Sequence, residues 1–113
     1  MIIRGYDAIS AAEGLRLPLG KYSEQHHRGF RLDLSVGEAY ELASRDQNLI
    51  FLDLDIRTLS YEQLLKLSAA LGAEIGKSCI QVRDEFESDG DDDRAAIFNA
   101  LAQRWTELKS KSH

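Results

Sequence analysis

Hydrophobic residues recur at helical spacing in four stretches of the chain. Tyr6 to Glu13 places Ala8, Ile9 and Ala12 on one face, with Asp7 available as N-cap and Gly14 where a left-handed residue would end a helix. Val36 to about Arg45 does the same with Ala39, Leu42 and Ala43. Ser35, just before this stretch, and Glu38 within it have capping-box spacing, at which a serine hydroxyl and an N3 side chain each satisfy an orphan backbone group. Ser60 and Gln63 repeat that spacing and open a helix predicted to end at Gly76, its stripe being Leu64, Leu67, Leu71 and Ile75. The last helix, capped by Asp91, Asp92 or Asp93, carries Ile97, Leu101, Trp105 and Leu108 on one face with Phe98 beside them. Lys109 and Lys111 stand at its C-terminal end, where the helix dipole favours cations.

Other stretches alternate. Phe30, Leu32 and Leu34 are separated by Arg31 and Asp33, the period of a half-buried strand. Asn48 to Ile56 is rich in Leu, Ile and Phe with Asp53 and Asp55 interposed, and is the strongest strand signal. Ile2 and Ile3 allow a short edge strand, while Leu15 to Arg28, holding the single proline and Gly20, reads as a long loop.

Ser78 to Phe86 fits both periods. As a helix it extends the preceding stripe through Cys79, Val82 and Phe86; as a strand it puts Ile80, Val82 and Phe86 on one face. A continuous helix from Ser60 would include Gly72 and Gly76, each costing ~1 kcal/mol against alanine. It would also set Asp84, Glu85 and Glu87 against its negative end. These costs favour the strand, making Asn48 to Phe86 a β-α-β unit with a right-handed crossover. The expectation is one small α+β domain over residues 1–113, helix-rich, with a short sheet and a C-terminal amphipathic helix. The alternative is a mostly α fold with a long C-terminal helical hairpin.

Composition adds a local charge to this picture. The chain has 113 residues, 43% apolar and 29% charged, with a formal charge of −5, and a chain of this size can bury one core. Asp84 to Asp93 packs seven carboxylates into ten residues; without it twelve acids would face fourteen Lys and Arg residues. Arg16, Lys21, His26, His27, Arg28 and Arg31 form a basic counterpart. With one cysteine, no apolar leader and no long apolar run, the expected setting is the cytoplasm, with no membrane contact.

Candidate chemistry is incomplete wherever it appears. Glu85, Glu87, Asp89, Gly90, Asp91 and Asp93 follow calcium-loop spacing, but Ala96 stands where the bidentate carboxylate belongs. His26 and His27 are adjacent and form no chelate alone, and Cys79 has no local base. Leu49 to Leu59 resembles the first motif of the haloacid dehalogenase superfamily, in which a hydrophobic strand ends in Asp-x-Asp and a threonine follows. That resemblance implies Asp53 as a phosphoryl-accepting nucleophile and Asp55 as general acid/base. Ile56 and Arg57 depart from the pattern, and few strands remain for the family's doubly wound sheet.

The function expected is therefore non-enzymatic, with no catalytic residue, cofactor or metal. The chain would bind a protein partner or itself, most simply as a homodimer, through Asp89, Asp91, Asp92 and Asp93 on one side and Lys21, Arg28 and Arg31 on the other. An acidic decoy of a nucleic-acid-binding protein is the alternative, and a divalent-metal enzyme using Asp53 and Asp55 the third reading. Nucleic acid itself is an unexpected partner, because the net charge repels phosphate and the basic stretch holds few aromatics.

Overall fold

Short apolar runs near both ends of the N-terminal half pair into one antiparallel sheet. In the computed structural model, which describes residues 1–23, 28–31 and 34–111 (backbone alone at 22–23, 28–31 and 111), the strands are β1 (Ile2–Arg4), β2 (Gly20–Ser23), β3 (Arg28–Arg31) and β4 (Ile50–Asp53). Their order is β1-β4-β2-β3. Central β4 sets Leu52 opposite Ile3 and Phe51 opposite Gly20. Its period of two buries Ile50 and Leu52 and leaves Asp53 exposed. The strand expected over Asn48 to Ile56 is right in kind but shorter. Single 3-10 turns, Gln47–Leu49 and Ile56–Thr58, take its ends, capped by the Asp46 and Asp55 carboxylates.

Helices α1 (Gly5–Leu15) and α2 (Val36–Arg45) complete this unit, which spans Met1–Leu54. Its core is built from small and β-branched residues: Ala8, Ile9, Ala11 and Ala12 of α1, Ala39 and Ala43 of α2, and Ile3 and Ile50 of the sheet. Ser35 caps α2 as its spacing predicts, accepting from the Glu38 N–H at 3.2 Å. Three expectations need correction. Asp7 does not cap α1: the N-cap is Arg4, with no side-chain bond, and Asp7 lies in the first turn. Gly14 does not end α1; the left-handed residue is Arg16 (φ 55°), and the Leu17 N–H reaches back to the Ala12 carbonyl at 2.9 Å. The predicted loop Leu15 to Arg28 contains β2, because its backbone supplies the second edge that β4 requires. Of the strand expected over Phe30 to Leu34, Phe30 and Arg31 lie in β3, while Leu32 and Asp33 lie outside the described residues.

The second unit, Asp55–His113, is helical: α3 (Tyr61–Ala70), α4 (Cys79–Ser88) and α5 (Asp92–Lys111). The Ser60–Gln63 capping box forms as expected. The helix then stops at Gly72 (φ +86°), not Gly76. The Gly72 N–H bonds the Ala69 carbonyl and the Ala73 N–H the Ser68 carbonyl, the paired bonds of a glycine-terminated helix. Ile75 therefore leaves the stripe and stands fully exposed in the loop.

The strand expected at Ser78 to Phe86 is the helix α4, so no β-α-β unit exists over Asn48 to Phe86. The sheet is antiparallel, and the C-terminal part takes the alternative form, a helical hairpin within an α+β fold. The physical reason is twofold. A second capping box, Ser78 with Gln81, restarts the helix after the break, so no helix crosses either glycine. The acids that would oppose the dipole are compensated: Lys77 holds Glu85 at 2.6 Å, Arg83 holds Asp84 at 2.9 Å, and the N-terminus of α5 follows directly.

The hairpin closes on Phe98 and Leu101, both fully buried, with Val82, Ala95 and Ile97. Phe86 packs on Phe98 with ring centroids 5.5 Å apart, and Arg83 donates to Asn99 Oδ1 at 3.0 Å across the two helices. Arg104 donates to the Leu59 carbonyl at 2.9 Å, tying α5 to the start of α3. Among the described residues, no helix is long and apolar enough to cross a membrane.

Candidate functional site

The acidic segment is a helix-to-helix turn. Asp89 is the C-cap of α4, Gly90 takes the left-handed position (φ +80°), and Asp91 opens α5. The Gly90 and Asp91 N–H groups bond the Glu87 and Phe86 carbonyls at 3.1 and 2.9 Å. Asp91 then accepts from the Arg94 N–H at 3.2 Å and lies 3.7 Å from its guanidinium. One of the four candidate acids is thus occupied in capping. Asp89, Asp92 and Asp93 are exposed and make no ion pair among the described residues.

The calcium-loop spacing falls on two helices and the turn between them, with Glu85 and Glu87 in α4 and Asp93 in α5. Among the described residues, no three His, Cys, Asp or Glu side chains converge as metal ligands would. Of the basic candidates, Lys21 is half-buried in β2, while Arg28 and Arg31 are placed by their backbone in β3; His26 and His27 lie outside the described residues. The candidate bases belong to the first unit and the candidate acids to the second.

Asp53 and Asp55 are engaged locally. Asp53 lies 3.8 Å from the N-terminal ammonium. Asp55 accepts from both the backbone N–H and Nε of Arg57 at 3.2 Å. The Arg57 hydrogen bond holds the Asp55 carboxyl below its ordinary range.

The feature that sequence reasoning did not anticipate is an apolar groove in the helical unit. Leu65 and Ala69 of α3, Ile75 of the loop, Ile80 of α4 and Trp105 of α5 line an open space of about 640 Å³, with Lys77 and Lys109 on its rim. Leu65 and Ile80 are each about half exposed (49% and 51%), and Ile75 wholly so. Tyr61 stacks on Trp105 with centroids 4.5 Å apart, which fixes the orientation of the aromatic wall. Cys79 also lines the groove; burial pushes its thiol up from the ordinary range, against an opposing hydrogen bond with Ser68. A signal for this arrangement was present in Ser78 and Gln81, whose spacing marks the start of α4 and so places Ile80 and Cys79 beside α5.

The groove continues past Lys77 into a shallower depression lined by Asp84, Glu85, Ser88 and Asp89. Lys77 bridges Glu85 at 2.6 Å and Glu74 at 3.2 Å, and its ammonium is held above the ordinary range chiefly by the Glu85 hydrogen bond. This chemistry suits the burial of apolar side chains next to a negative surface. In comparisons with known proteins, no protein-family model, no curated protein and no solved structure matches the chain.

Proposed function

We propose that the chain is a non-enzymatic interaction protein whose binding face is the apolar groove of its helical unit, which receives large apolar side chains of a protein segment. The observation that carries this reading is the grouping of Leu65, Ile75, Ile80 and Trp105 around one open space rather than scattered over the surface. Isolated exposed apolar residues are ordinary, whereas a contiguous apolar concavity is the usual form of a binding site. Its volume, about 640 Å³, lies in the ~300–1,000 Å³ range of ligand sites. Each leucine-sized side chain buried there contributes ~1.5–3 kcal/mol before the cost of association, so a segment with a few anchors binds in the micromolar range. The exposed acids Asp89, Asp92 and Asp93 support the same reading as a source of steering, not as the main source of affinity.

The test is selection of random displayed peptides on the full chain. Expected are peptides sharing two or more large apolar residues, which shift the emission of Trp105 and lose at least about tenfold in affinity for Leu65→Glu. Leu65 is half exposed, so this variant keeps the core intact. Peptides that bind the parent and Leu65→Glu equally would put the binding face elsewhere and end the reading.

A further inference from the structure

We infer that the segment received by the groove is apolar at one end and basic at the other, with its cations lying along α4. The inference rests on the binding-face reading above and adds the chemistry of the partner. Lys77 lines both the apolar groove and the depression beside it, so an occupant longer than the groove passes over Lys77 onto α4. There it meets Asp84 and Ser88, and Glu85 and Asp89, two pairs at i,i+4 and therefore on one helix face. The Lys77 ammonium is shared between Glu74 and Glu85, and Asp84 is matched by Arg83. Asp89 has no such match among the described residues, and Asp92 and Asp93 lie just beyond it.

The position of these acids gives the field its direction. Asp89 is the C-cap of α4, and Asp92 and Asp93 stand in the first turn of α5, so three exposed carboxylates without an ion pair among the described residues gather at the α4 end. A basic tail is thus attracted at the α4 end, and an acidic tail is repelled there. Of the possible occupants, a partner segment with leucines followed by lysines or arginines fits both the surface and the sign.

The experiment uses three synthetic peptides with the same leucines at helical spacing, followed by lysines, glutamines or glutamates, titrated into the full chain with Trp105 emission as readout. Expected is binding of the lysine peptide about tenfold tighter than the glutamine peptide at low salt, an advantage that shrinks as salt screens it. Glu85→Gln combined with Asp89→Asn removes that advantage and leaves the glutamine peptide unchanged. Equal binding of all three peptides overturns the charge inference while the groove reading survives, and failure of all three overturns both. Sedimentation of the chain as a dimer that Leu65→Glu dissociates makes a second copy the occupant and also overturns the inference.

Discussion

Replacing Gly90 with alanine tests the reading of the acidic segment as a turn between two helices. Gly90 holds φ +80°, one residue beyond the α4 cap. A Cβ added there meets nothing within 4 Å, so the substitution carries no packing cost. What remains is the backbone. The left-handed conformation costs an L-residue ~1–2 kcal/mol, and alanine returns ~0.4–1 kcal/mol by restricting the unfolded chain. Gly90→Ala is therefore expected to destabilise the helical unit by about 1 kcal/mol. Gly90→Asn should fall between glycine and alanine, since asparagine visits this region more readily. With a urea slope of ~1–3 kcal/mol/M, the midpoint drops by roughly 0.5 M. Trp105, the chain's single tryptophan, lies on α5 and reports the hairpin by its emission during urea unfolding. An alanine variant as stable as the parent would refute the left-handed turn, and with it the hairpin account of Asp84 to Asp93.

Other expectations follow from neighbouring contacts. Asp91→Ala removes the α5 cap and should cost ~1 kcal/mol in the same urea assay, whereas Asp92→Asn, exposed and unbridged, should change stability little. Phe98→Ala empties a fully buried site beside Phe86 and should cost ~3–5 kcal/mol, enough to abolish the cooperative thermal transition of the helical unit. The Cys79 thiol, raised chiefly by burial, should react with a disulfide reagent along a pH profile displaced above that of a free thiol (~8.5). The linkage has the matching sign: the unfolded thiol ionises first, so stability falls as pH rises through the unfolded value and levels off above the folded one. A profile at or below that of free cysteine would show that the site does not desolvate the thiol.

Helix starts were legible from spacing at α2 and α3, and the same signal stood at α4. Ser35, Ser60 and Ser78 each cap a helix, because a side chain that accepts from a backbone N–H three residues on needs no partner from elsewhere in the chain. Ser78 with Gln81 carried the same signal as Ser60 with Gln63, yet the glycine and dipole costs of one continuous helix pointed to a strand. Those costs were real but did not apply. Gly72 ends α3, Ser78 begins α4, and the acids at the end of α4 meet Lys77, Arg83 and the start of α5. The candidate site was less legible. The concentration of acids marks a turn in which Asp91 is a cap, while of the groove residues Trp105 belongs to an amphipathic face, Ile80 to the expected strand, and Leu65 to no apolar stripe.

By itself the sequence determined where α2, α3 and α5 start, which of their faces are apolar, and that negative charge gathers in Asp84 to Asp93. These are properties of residues a few positions apart, governed by hydrogen-bond reach and helical period. Only the tertiary structure decided that Ile50 to Asp53 pairs antiparallel with Ile2 to Arg4 and Gly20 to Lys21. It also decided that Ile75 leaves the core and that three helices leave an apolar groove open beside an acidic face. Strand partners and concave surfaces form between residues far apart in the chain, and no local spacing records which distant faces meet.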